Sequence, residues 1–211
     1  MHPDLSSRSE GGVTLDVLSW HLARPMLAAS TATSGGGLGV RHWILNVQVP
    51  HDYARRDVEH HVGEIARQLD LHDEGVGMLT AAPVKAVVHA HDMAVDVHAT
   101  VGVRKPTWAA SDDEVNQDHP APGTINVVAF LPVRLTPGGL LNALATATEA
   151  KSQALWDANI AATGTASDAL CITCPLEGPE EQFGGPRSVW GSRLARAVHR
   201  AVLSGARSGQ E

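Results

Sequence analysis

The sequence predicts an α+β protein, a mixed β-sheet or pair of sheets with packed helices. Three observations carry that prediction. Residues 41–49 alternate apolar and polar side chains, as a half-buried strand does. Residues 125–131 form an unbroken apolar run rich in β-formers and are ended by Pro132. Each strand leads through a helical stretch and a Gly/Thr segment into a further strand, so the chain reads as two β-α-β halves facing each other. The echo of Leu45-Asn46-Val47 in Ile125-Asn126-Val127 suggests internally related halves with Asn46 and Asn126 at matching places.

Taken in order, residues 1–12 are polar and Gly/Ser-rich, and a fraying terminus is expected. One domain then spans residues 13–205, with a short flexible tail at 206–211. Residues 13–17 and 26–29 read as short apolar strands. In residues 41–49, Trp43, Leu45, Val47 and Val49 face one side and His42, Ile44, Asn46 and Gln48 the other. Pro50 stops that strand, and residues 57–71 have helical spacing through Val58, Val62, Ile65 and Leu69. A third strand occupies 75–82, and 84–91 with 94–104 form a hairpin around Asp92-Met93. The acidic, proline-containing stretch 111–122 is a loop. After the strand at 125–131, Thr136-Pro137 caps a helix over 138–155. The Thr163-Gly164-Thr165 loop enters a strand at 169–174, and an amphipathic helix closes the chain from 185 to 203.

Bulk composition excludes several classes. The 211 residues carry 16 Lys and Arg against 23 Asp and Glu, a net charge of −7. No basic stripe exists to supply phosphate contacts, so nucleic acid is not an expected partner. No apolar run approaches the roughly 20 residues that cross a bilayer, and no leader-like segment is seen, so a soluble cytoplasmic protein off the membrane is expected. A homo-oligomer is left open. Cys171 and Cys174 form a Cys-x-x-Cys inside a strand and read as buried small apolar residues rather than a redox pair.

The helix at 138–155 is unusual, because between Pro137 and Ala150 its single charge is Glu149. A water-facing helix displays more charge. Asn142, Thr146, Glu149 and Gln153 share one narrow face, opposite Leu140, Leu144, Ala147 and Leu155. A solvated stripe would satisfy the same pattern; the missing charges favour a pocket lining.

These segments also carry a resemblance. GTIN at 123–126, LLNALATATEAKSQAL at 140–155 and TGTASDA at 163–169 resemble the signature segments of the adenosylcobinamide amidohydrolase family. GGGLG at 35–39, RHWILNVQVPHDY at 41–53 and GVGMLTAAPV at 75–84 extend the similarity over most of the chain. The resemblance implies cleavage of the amide that joins an aminopropanol arm to the corrin ring of adenosylcobinamide, giving adenosylcobyric acid for cobalamin salvage. The corrinoid is then the substrate and partner, with no cofactor required. A non-catalytic corrinoid-binding protein, or an amidohydrolase for another amide, would use the same features.

Individual roles come from the residues. Twelve histidines invite a metal, with His89, His91 and His98 the nearest to a set, but no ligand pattern of known spacing appears and none is expected. No Gly-x-Ser-x-Gly elbow exists, and Ser152 and Ser167 lack a readable setting. Self-cleavage at Gly123-Thr124 would free a threonine nucleophile carrying its own amine; it ranks here behind attack by water on the amide. For that attack Glu149 is the expected base and Asp168 the second carboxylate, with Glu149 pairing to Lys151 or Arg134 as the inert alternative. Expected substrate contacts are Gly35, Gly36 and Gly37, whose backbone can approach a ligand, together with His42, Asn46, Thr80, Asn126, Asn142, Thr146, Thr163 and Thr165.

Overall fold

The computed structural model describes residues 1–112 and 123–209. Its elements are β1 (Asp4–Glu10), β2 (Val13–Ser30), β3 (Gly37–Gln48), α1 (Val58–Gln68), β4 (Gly75–Thr80), β5 (Val88–Asp92), β6 (Val95–Val101), β7 (Ile125–Phe130), β8 (Arg134–Leu135), α2 (Pro137–Asp157), β9 (Ala169–Pro175), β10 (Glu180–Glu181) and α3 (Val189–Ser208). Seven strands run in the order β4-β3-β2-β9-β7-β6-β5, with β1 added beside β2, and β8 and β10 form a separate pair. The sheet is mixed: β3 and β4 are parallel, as are β7 and β9, while β2 is antiparallel to both β3 and β9. Both parallel pairs are β-α-β crossovers, through α1 and α2.

Three apolar clusters stack the molecule into α-β-β-α layers. Val17, Trp43, Leu45 and Val47 pack on Val62 and Ile65 of α1. On the opposite faces of the strands, Leu18, Trp20, Ile44 and Met78 meet Val128, Phe130 and Cys171. Beyond them, Ile125, Val127, Ala129 and Ile172 pack on the alanines of α2 and on Leu194 and Val198 of α3. The eighteen-residue β2 spans both layers, with a register shift between His21 and Met26 where the sheet turns over. The alternation of faces read over 41–49 therefore holds, but the strand is buried on both faces rather than one, with Ile44 and Asn46 at 0% and 2% exposure. Cys171 and Cys174, three apart on β9, fall in different clusters. Burial pushes the Cys171 thiol up to about 12 and raises Cys174 as well, which keeps both unreactive.

The N-terminus corrects the sequence reading. Residues 4–10 do not fray but pair in register with 13–19. Gly11 and Gly12 both take positive φ, 58° and 80°, which is what a two-residue hairpin turn demands. The segments 13–17 and 26–29 are one strand rather than two. At the other end α3 runs through Ser208, so residues 206–208 of the expected loose tail are helix. The acidic loop at 111–122 lies almost entirely outside the described residues. No helix among the described residues is long and apolar enough to cross a membrane.

Candidate active site

The amino ends of β7 and β9 lie side by side because the two strands are parallel neighbours, with Asn126 opposite Ala169. Gly123-Thr124 just before β7 is thereby brought against the loop 163–168 just before β9. Asp168 ties the two together. Its Oδ1 accepts the Ile125 amide at 2.9 Å, its Oδ2 accepts the Thr165 amide at 3.1 Å, and Lys151 of α2 forms an ion pair with Oδ2. Both side chains of that pair are only 7% exposed. The Thr165 hydroxyl lies 2.5 Å from Asp168 Oδ1 and 2.8 Å from the Gly123 carbonyl oxygen, so its one hydrogen serves either acceptor. Ser167 Oγ lies 2.9 Å from the Thr124 hydroxyl and 3.4 Å from the same Gly123 oxygen.

This knot sits where two clefts adjoin. One, of about 480 Å³, is bordered by Thr31, Thr33, Thr80, Thr124 and Ser167. The other, of about 660 Å³, is bordered by Pro83, Gly102, Arg104, Pro106 and Ile160. His51, Ala81 and Gly123 border both. Among the described residues Asp168 is the sole carboxylate on either lining; the first cleft is rich in hydroxyl groups, and the second is mostly apolar with Arg104 at its border. Across the layers the floor is tied by amides. Asn126 donates to Asn46 Oδ1 at 2.8 Å and to the Leu79 carbonyl at 3.0 Å, and Asn46 donates to the Thr100 hydroxyl at 2.9 Å.

The sequence-nominated residues divide accordingly. Asp168 and Thr80 border the first cleft, Thr165 clamps Gly123, and Asn46 and Asn126 are buried, 2% and 1% exposed, just behind Thr124. Thr163 lies on the outer side of the loop, where its hydroxyl accepts the Ala109 amide and faces the Thr107 carbonyl. The others are elsewhere. Glu149, Asn142 and Gln153 are exposed on α2, and Thr146 is buried against the Gly184 carbonyl. Glu149 borders neither cleft and stands, with Asn142 and Gln153, on a solvated face of α2 rather than in a dry pocket. His42 is half-buried, 3.7 Å from Asp73. The glycine run is a structural turn. Gly35 holds φ at 64°, a Cβ on Gly36 would lie 2.1 Å from the Ala32 carbonyl oxygen, and the Arg41 guanidinium binds the carbonyls of both glycines. It is the preceding Thr31-Ala32-Thr33 that lines the cleft.

Sequence reasoning passed over Lys151, Ser167, Thr31 and Thr33. A signal for Lys151 was present. At 100° per residue it falls in the middle of the stripe of Leu140, Leu144, Ala147 and Leu155, where a charge needs a partner.

Four histidines, His2, His89, His91 and His98, gather away from the clefts. His89 and His98 stack with ring centroids 4.6 Å apart on the β5-β6 hairpin, and burial lowers His98 to about 4. Among the described residues no group of three or more His, Cys, Asp or Glu is arranged to hold a metal ion.

Comparison with known proteins converges on one family. A family model described as adenosylcobinamide amidohydrolase matches residues 2–211. An adenosylcobinamide amidohydrolase of Methanosarcina mazei is 28% identical over 187 residues, covering 84% of this chain and 88% of that protein. One of Halobacterium salinarum is 28% identical over 163 residues, 74% of this chain and 70% of its own. Among solved structures, a Burkholderia beta-aminopeptidase superposes with a TM-score of 0.48 at 15% identity, covering 99% of this chain and 84% of that one.

Proposed function

This chain belongs to the adenosylcobinamide amidohydrolase family, and from that premise we propose how it acts on its substrate. It hydrolyses the amide between the aminopropanol arm and the corrin ring of adenosylcobinamide, releasing adenosylcobyric acid. The carrying observation is that GTIN and TGTASDA, forty residues apart in sequence, close on one another at the junction of the two clefts. A corrinoid is a broad disc edged with neutral amides, and it needs a wide surface with hydroxyl and amide donors. The two adjoining clefts together offer that, hydroxyl groups in the first and a mostly apolar wall with Gln48 and Asn159 in the second, with the scissile arm reaching the junction.

In this reading Asp168 is a positioning residue. Both its oxygens are engaged by Lys151, Ile125 and Thr165, which leaves it poorly placed to take a proton from water. Thr165 and Ser167 hold donors where an amide oxygen gains charge in the tetrahedral intermediate, the position at which fixed dipoles lower a barrier most. The reaction needs no dissociable metal and runs in the cytoplasm, a reducing compartment that suits two free buried thiols.

The test incubates purified protein with adenosylcobinamide and follows adenosylcobyric acid and free aminopropanol by mass spectrometry. Product formed at an unchanged rate in excess chelator is the expected outcome. Tight binding without product would identify a corrinoid-binding protein instead. Activity lost on chelation and restored by zinc or manganese would overturn the metal-free reading.

A further inference from the structure

We propose that the chain cuts itself between Gly123 and Thr124, and that the freed Thr124, bearing its own amine, is the nucleophile of the amide hydrolysis. The cut is independent of the function proposed above; the role of Thr124 in turnover rests on it.

The starting point is a missing base. Of the two carboxylates that sequence suggests, Glu149 is exposed and outside the clefts, and Asp168 is fully engaged. Yet the Gly123-Thr124 peptide sits in the arrangement expected for a reaction centre. Thr124 is 5% exposed and borders the first cleft, while Gly123 borders both. The Gly123 carbonyl oxygen faces two side-chain hydroxyls, Thr165 at 2.8 Å and Ser167 at 3.4 Å. Ser167 also lies 2.9 Å from the Thr124 hydroxyl, and can receive its proton. Thr124 is fixed on its far side as well: its carbonyl accepts the Gly102 amide at 3.0 Å, and the next amide, of Ile125, is bound by Asp168. The sheet pairing of β7 with β6 and β9 starts at Ile125 and Asn126, so a cut before Thr124 removes no ladder hydrogen bond.

The steps balance with one water. Thr124 Oγ attacks the Gly123 carbonyl carbon and its proton leaves through Ser167. The charge on the Gly123 oxygen is held by the Thr165 and Ser167 hydroxyls. The C–N bond breaks, the nitrogen of Thr124 takes the proton and becomes a free amine, and residue 123 is left as an ester on Thr124 Oγ. Water cleaves that ester to a Gly123 carboxylate and a free threonine hydroxyl. An α-amine titrates near 8, so it works as a base around neutral pH, where a general base is most effective. In turnover Thr124 Oγ forms a bond to the corrinoid amide carbon while its amine takes the hydroxyl proton. The amine passes that proton to the aminopropanol nitrogen as the C–N bond breaks. Water then releases the corrinoid acid from the ester and restores Thr124.

The experiment reads the intact mass of the full-length protein after expression and prolonged incubation at neutral pH. Expected are two pieces that co-elute on gel filtration, with masses summing to the uncut chain plus one water. The smaller piece begins Thr124-Ile125-Asn126. Thr124→Val, which keeps the shape and loses only the hydroxyl, stays uncut and loses turnover by on the order of 10⁴-fold or more. Thr124→Ser still cuts, which guards against a folding defect in the valine variant. A wild-type chain that remains whole while hydrolysing adenosylcobinamide overturns the proposal and turns attention to His51 as base. A chain cut at another bond overturns it too. A chain cut before Thr124 yet inert toward adenosylcobinamide keeps the self-cleavage, and refutes the assigned reaction together with the role of Thr124 in it.

Discussion

Replacing Asp168 by asparagine tests whether the buried ion pair organises the site. The carboxylate accepts the Ile125 amide at 2.9 Å, the Thr165 amide at 3.1 Å and the Lys151 ammonium, with 7% of each charged side chain exposed. Asparagine can keep one acceptor, toward Ile125. Its NH₂ group then faces the Lys151 ammonium and the Thr165 amide, donor against donor, and the lysine charge is stranded. Breaking a buried pair from one side costs about 3–5 kcal/mol. In a chain of this size each kcal/mol shifts the melting point by about 2–4 °C, so Asp168→Asn should melt roughly 6–20 °C lower. Lys151→Met strands the other charge and should cost a similar amount. The double variant leaves no charge behind and should recover much of the loss, a coupling of about 2 kcal/mol or more. Turnover should not recover with it, because the Thr165 backbone amide has lost the Oδ2 acceptor that fixes its loop. Thermal unfolding of the four proteins by circular dichroism at pH 7 gives the cycle. An Asp168→Asn variant melting within about 2 °C of the parent would refute the reasoning, since the pair would then be too well solvated to fix the loop.

Three further predictions follow from particular residues. Burial lowers His98 from 6.5 to about 4, aided by the neighbouring His89. The unfolded chain therefore takes up that proton first, and the stability due to neutral His98 is full above pH 6.5 and drains away toward pH 4. The loss amounts to about 3 kcal/mol; His98→Gln should flatten the acid limb of a stability-pH curve over that window, while His61, lowered in the same direction by burial, contributes equally to both proteins. Gly35→Ala should be strongly destabilising with turnover per folded molecule retained, since its Cβ would lie 1.9 Å from the Gly75 carbonyl oxygen at a φ of 64°. Glu149→Gln, on an exposed face, should leave turnover within about twofold and stability within about 0.5 kcal/mol; a hundredfold fall in turnover would return it to the mechanism.

Much of the fold was legible because its signals are local. Period-2 alternation over 41–49, the apolar run at 125–131 and Thr136-Pro137 at the start of α2 each act within a few residues. Two local signals were misread. Gly11-Gly12 between polar residues looks like a loose end until the strands on either side are paired, and only then is it a hairpin turn. On α2 the informative charge was Lys151 rather than Glu149. One is two residues after the other, about 200° away around the helix, on the buried side. The site was legible as segments but not as roles. Asp168 and Thr165 are named by their loop, but their partner atoms, the Gly123 carbonyl and the Ile125 amide, are more than forty residues away in the chain. Nor does sequence distinguish a glycine run that lines a cleft from one that folds beneath an arginine.

The same pairing explains why two crossover units yield one site. The first unit contributes the carboxyl ends of its strands, Val49, His51 and Thr80; the second contributes the amino ends of its own, Gly123, Thr124 and Asp168. Walls that come from different layers need a fixed separation, and apolar packing alone, being non-directional, sets it loosely. Asn46 and Asn126 set it by direction, because the Asn126 amide spans to Asn46 and to Leu79, next to Thr80 in the facing wall. This has a cost. Asn126 Oδ1 is buried and has no hydrogen-bond partner among the described residues, a deficit worth about 1–3 kcal/mol. An apolar pair of similar volume would remove that deficit and could leave the fold as stable or more so, but would allow the layers to slide. The asparagines therefore act as gauges of the cleft: Asn126, two residues after Thr124, ties that wall to Leu79, the neighbour of Thr80.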